Sequence, residues 1–75
     1  MDYIKWAEQY ETNAAKIHDA IERKKDQKRK RLTADQRQRL TGEIAELQHI
    51  YRDMLSIART LRERGRTDEN NMHAG

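Results

Sequence analysis

The apolar positions of this chain fall in two stripes that mirror each other. The first is Tyr3, Ala7, Tyr10, Ala14, Ile17 and Ile21. The second is Leu40, Ile44, Leu47, Tyr51, Met54, Ala58 and Leu61. Both step by alternating threes and fours, which is the a/d seam of a helix lying lengthwise on another helix. Counting inward from the two ends pairs Tyr3 with Leu61, Ala7 with Ala58 and Tyr10 with Met54. The same count pairs Ala14 with Tyr51, Ile17 with Leu47 and Ile21 with Ile44. One reversal near Leu32 brings these layers together, so the pattern predicts an all-α, antiparallel two-helix hairpin. Side-chain volumes agree with it: small Ala14 faces large Tyr51, and Tyr10 faces flexible Met54. Ala7 opposite Ala58 lets the helices approach closely or leaves room for Trp6 from the flank.

Local signals set the boundaries. The first helix is expected over about 2–30, with Asp2 at its N-cap or in its first turn, and Lys28, Arg29, Lys30 and Arg31 at its C-terminal end. The turn is expected at 31–33. Thr33-Ala34-Asp35-Gln36 then reads as a capping box, with Thr33 as N-cap and Gln36 reaching back. The second helix is expected over about 34–64, closed by Gly65 as the C′ residue. Gly42 interrupts it at a cost of roughly 1 kcal/mol relative to Ala. The stripe keeps its phase from Leu40 to Ile44, which predicts a continuous helix. A short helix over 34–40 with a kink at Thr41-Gly42 is the alternative. The hairpin thus spans 1–65, and residues 66–75, polar and without periodicity, read as a disordered tail.

Composition sharpens this picture. The chain has 75 residues, 39% charged and 35% hydrophobic, with no Pro or Cys. That balance suits a coiled-coil-like protein more than a lone globule. A core of this size rarely supplies more than about 3–5 kcal/mol, and no disulfide or zinc quartet is available to add to it. Self-association is the remaining route to a larger core. The seam also leaves apolar residues over: Ile4 and Trp6 on the first helix, Ile50, Leu55 and Ile57 on the second. Ile50 and Ile57 flank the seam on the same side, and Trp6 falls at the level of Ile57. Such a strip marks a partner surface. Its occupant is a second copy, giving a homodimeric four-helix bundle, or a partner helix from another protein.

Charge is segregated. Between Arg23 and Arg39 stand nine bases, Arg23, Lys24, Lys25, Lys28, Arg29, Lys30, Arg31, Arg37 and Arg39, against two acids, Asp26 and Asp35. That is +7 in a chain of net charge +3, so the remainder carries −4. The hairpin end is therefore a phosphate-attracting tip; its bland reading is a solvated end. No aromatic residue lies there to stack on bases, so binding should be weakly specific and salt-sensitive. The opposite end offers a different anion site, where Tyr3, Trp6 and Tyr10 come near Arg59, Arg62 and Arg64. Aromatic planes beside guanidinium groups can hold a nucleotide or simply pack.

Catalytic chemistry finds little support. Glu46-Leu47-Gln48-His49 has the E-x-x-H spacing of di-iron bundles, but both ligands fall on outward positions and the first helix has no second copy of the motif. His18 with Glu22 and His49 with Asp53 read as surface i,i+4 pairs, and Glu8, Glu11, Glu43 and Asp53 as solvated faces. There is no Gly-rich phosphate loop and no nucleophile with a base. The expectation is a non-enzymatic protein with no cofactor and no bound metal. With no apolar membrane span or signal core, a cytoplasmic location is expected.

The segments Asp2-Tyr3-Ile4-Lys5-Trp6-Ala7-Glu8, Ile50 to Leu55 and Leu61 to Arg64 resemble small uncharacterised helical proteins of Firmicute genomes, their phages and mobile elements. The resemblance implies no activity and no site residues. In shape the chain is also similar to plasmid RNA-binding helical-hairpin dimers and to the small helical partners of type VII secretion, whose Trp-x-Gly turn it lacks. The expected function is an oligomerising hairpin that binds nucleic acid through its basic tip. The alternatives are a protein-interaction module (an inhibitor, adaptor or secretion partner) on the apolar strip, or a phage-type protein that sequesters a nucleotide.

Overall fold

Each helix begins where a side chain can take up its unpaired amides. The computed structural model describes residues 2–74, with side chains as far as Thr67. Asp2 is the N-cap of α1 (Tyr3–Lys28), its Oδ1 accepting from the Lys5 amide at 3.0 Å. The Thr33 hydroxyl accepts from the Gln36 amide at 3.2 Å, and the Gln36 side chain accepts from the Thr33 amide at 3.1 Å. That reciprocal pair is the predicted capping box, and it opens α2 (Ala34–Ala74). α1 closes two residues earlier than expected. The amides of Arg29 and Lys30 donate back to the carbonyls of Asp26 and Gln27, a three-residue spacing that tightens the last turn and ends the helix. Residues 29–33 make the reversal.

α2 departs from expectation at its other end. Its backbone is helical through Gly65 to Ala74, so the expected end near Arg64 is corrected. The expected tail falls mostly on residues whose side chains lie outside the described set. Gly65 does not have the positive φ of a C′ residue. It is buried against the start of α1: a Cβ built there would meet Ile4 Cδ1 at 2.8 Å and Ile4 Cγ1 at 3.0 Å. Glycine here makes space between helices. Gly42 is its opposite, with nothing within 4 Å of a built Cβ, and α2 runs through it as one helix.

The two helices pack along each other in a rod measuring 63 × 14 × 14 Å. Burial within the seam is unequal. Ala7, Ala14, Ile21, Ile44 and Ala58 form the core, and with Gly65 they belong to one set of positions repeating every seven residues, whose remaining member, Tyr51, is half-buried. The other set, Tyr3, Ile17, Leu40, Leu47, Met54 and Leu61, is only half-buried, and Tyr10 is exposed. Small residues at the first set let the backbones close in, while a two-helix layer has no third element to cover the larger side chains of the second. Gly65 lies against Tyr3 and Ile4, where the predicted pairing put Leu61, so the register is shifted from the expected one; Trp6 stays 43% exposed and does not fill the seam beside Ala7.

Candidate nucleic-acid interface at the hairpin tip

The reversal at 29–33 sets the last turns of α1 beside the first turns of α2 and gathers the nine bases at one end of the rod. Some of them have structural work. Lys24 Nζ meets Glu43 Oε2 across the helices at 2.7 Å, both side chains partly buried. Arg37 Nη1 donates to the Lys28 carbonyl at 3.1 Å, satisfying one of the orphan acceptors at the end of α1. Arg23 Nε donates to the Asp19 carbonyl at 3.4 Å. Lys25 with Glu22 and Arg29 with Asp26 are exposed pairs at 3.6 Å, a type that contributes about 0–1 kcal/mol and is screened by salt. Lys30, Arg31 and Arg39 are exposed.

Between these side chains lies an open groove of about 420 Å³, walled by Lys25, Lys28, Arg29 and Arg37 with Ile44 at its base. No acidic residue lines it. Four cations around one depression can hold an anion larger than a single phosphate, with Arg supplying forked donors and Lys mobile point charges.

The surplus apolar residues do not form one strip. On α2, Ile50 and Ile57 stand one heptad apart on one edge of the hairpin, the edge that also carries Trp6 of α1. Leu55 falls on the other edge, where it shares a groove with Glu11, Ala15 and His18. Ile4, on that second edge, is half-buried against Gly65. The expected partner surface thus contracts to Trp6, Ile50 and Ile57, with Trp6 and Ile57 43% and 42% exposed. Trp6 is steadied by Tyr3, the rings meeting edge to face at 6.0 Å and 89°.

The alternative nucleotide site is brought together only in part: Tyr3 lies beside Trp6 and shares a depression with Arg64, while Arg62 is taken up elsewhere. Arg62, on the Leu55 edge, is engaged by Glu11: Nε to Oε2 at 2.8 Å and Nη2 to Oε1 at 2.6 Å. This forked pair holds the Glu11 carboxyl below its ordinary range, chiefly through the hydrogen bonds, and raises Arg62 by the same bonds. Arg59 points outward, and Arg64 shares only a shallow depression with Tyr3, Thr60, Glu63 and Thr67. Tyr10 stands exposed on the seam's rim.

Glu11 and Glu43, read from sequence as solvated faces, are therefore the carboxylates paired across the helices among the described residues. Heptad position gave only half of the signal: Glu11 and Arg62 both flank the seam on the same edge, but the pairing read from the sequence sets them more than two turns apart. His18 with Glu22 at 3.9 Å and His49 with Asp53 at 3.4 Å are the expected surface pairs; His18 also lies over Tyr51, ring centroids 5.8 Å apart. Among the described residues no group of three or more His, Asp or Glu is placed to hold a metal ion. Nor, among them, is any helix long and apolar enough to cross a membrane. Comparison with protein-family models, curated proteins and solved structures gives no match.

Proposed function

We propose that this chain is a non-enzymatic binding module, a helical hairpin that pairs with a second copy and holds nucleic acid through its basic tip. The observation carrying this reading is the groove at the tip, with four cations around it and no carboxylate in its wall. None of the four aromatic residues lines it, so the contacts it offers are to phosphates, which position a partner without reading its sequence. Pairing is supported by Trp6 and Ile57, two large apolar side chains exposed on one edge of a hairpin whose own core is small. A cytoplasmic location goes with this reading.

The test is a fluorescence-anisotropy titration of a labelled duplex across a salt series, for the wild type and for a variant with Lys28, Arg29, Lys30 and Arg31 changed to Gln. Binding to B-form DNA loses affinity with a logarithmic slope of about −0.9 per phosphate neutralised, so the variant should lose about 3–4 units of slope. Affinity that ignores both salt and the four changes would refute the reading. The exposed Trp6–Ile57 edge then becomes the functional surface for a protein partner, and Ile57→Asp should abolish that partner's binding.

A further inference from the structure

Glu43, Ile50, Ile57 and Arg64 stand seven residues apart on the unbroken helix α2. Each heptad falls short of two full turns by about 20°, so the four run as a line along the edge that also carries Trp6. Read in one direction the line is acid, apolar, apolar, base; reversed, it is its own complement. A second α2 laid against it antiparallel sets Ile50 on the second copy's Ile57 and Glu43 on the second copy's Arg64. The two-fold axis repeats both contacts. Glu43 engages Lys24 through Oε2, which leaves Oε1 to accept from an arginine.

A parallel arrangement does the reverse with the charges. It places two tips of net charge +7 side by side. Like charges set against each other in this way disfavour a docking mode.

We propose that a second copy of this chain docks antiparallel on the Glu43–Ile50–Ile57–Arg64 line, giving a rod with one basic tip at each end. At 1.5 Å per residue each tip then lies about 30 Å from the two-fold axis, and the tips are roughly 60 Å apart. Taken with nucleic-acid binding at the tip, on which this part rests, the pair joins two separate nucleic-acid segments instead of gripping one.

The chain has no cysteine, so a single spin label at Lys30→Cys reports the geometry by pulsed electron resonance. The antiparallel pair gives a distance of roughly 60 Å; one under about 30 Å, the spacing of adjacent hairpins, overturns the orientation. Charge reversal tests the line itself. Arg64→Glu and Glu43→Arg should each raise the dimer dissociation constant by ~10-fold or more, while mixing the two variants restores a dimer, because both ion pairs re-form. Failure of the mixture to associate overturns the proposed contacts. Joining is read by energy transfer between donor- and acceptor-labelled duplexes at low salt. The wild type brings them together, and Arg64→Glu binds one duplex without joining two. A wild type that is monomeric in light scattering overturns the docking, and a 60 Å dimer that binds no duplex overturns the nucleic-acid reading alone.

Discussion

Two glycines with the same helical backbone should respond oppositely to the same substitution. Gly42→Ala and Gly65→Ala each gain about 1 kcal/mol of helix propensity. At Gly42 the new methyl meets open space, so the gain is retained. At Gly65 it would sit 2.8 Å from Ile4 Cδ1, 3.0 Å from Ile4 Cγ1 and 3.5 Å from Tyr3 Cβ. Ile4 must turn or the end of α1 must lift, and overpacking of this kind costs about 1–3 kcal/mol. Gly42→Ala should therefore stabilise the hairpin by about 1 kcal/mol, and Gly65→Ala should end between neutral and about 2 kcal/mol destabilised. For a chain this short each kcal/mol moves the melting temperature by about 4–8 °C. Circular-dichroism melts are compared at one fixed protein concentration, because the proposed pairing would make the midpoint depend on concentration. Ile4→Val removes the clashing Cδ1, so the double variant with Gly65→Ala should recover stability relative to Gly65→Ala alone. If Gly65→Ala raises the melting temperature as far as Gly42→Ala does, the packing role assigned to Gly65 is wrong.

Two further expectations follow from the core and from the forked ion pair. Ile21 is 3% exposed in the core, and truncating a buried Ile to Ala costs about 2–5 kcal/mol. That is comparable to the whole stability of such a core, so Ile21→Ala should abolish most of the helical signal at 25 °C, and a variant melting within a few degrees of wild type contradicts the assignment. Glu11 has a lowered pKa in the folded chain because Arg62 hydrogen-bonds its ionised form, so the folded state binds fewer protons than the unfolded one. Its contribution is present above the ordinary glutamate value of 4.5 and is lost as pH falls through the lowered folded value. The urea-midpoint difference between wild type and Glu11→Gln should shrink over that window, and a difference that stays constant down through it counts against the Glu11–Arg62 pair.

The tip illustrates what a linear sequence conceals. Nine bases within seventeen residues are visible without a fold, and so is the turn that gathers them. Their division of labour is not. Lys24 is withdrawn by Glu43, nineteen positions away, whereas Arg37 is anchored through one N–H by a carbonyl at the end of the other helix and keeps its charge at the groove. Lys25, Lys28, Arg29 and Arg37 meet around one groove only because the reversal puts two helix ends at the same height. The apolar surplus shows the same limit. Ile4, Trp6, Ile50, Leu55 and Ile57 look like one strip when counted along the chain, yet the antiparallel seam sends Leu55 and Ile4 to one edge and Trp6, Ile50 and Ile57 to the other.

What the sequence determined by itself was everything local or periodic. Hydrophobic spacing defined two helices and the face that each turns to the other, because burial of an apolar stripe depends only on residue identity and helical pitch. The capping box at Thr33 and the N-cap at Asp2 were equally legible, since each bond spans three residues. The tertiary structure alone decided how far apart the helices lie, and with that the meaning of Gly65. A glycine just after a run of arginines has the local signature of a helix end. Only the side chain of Ile4, sixty-one residues earlier, shows that its missing Cβ is required for the helices to touch.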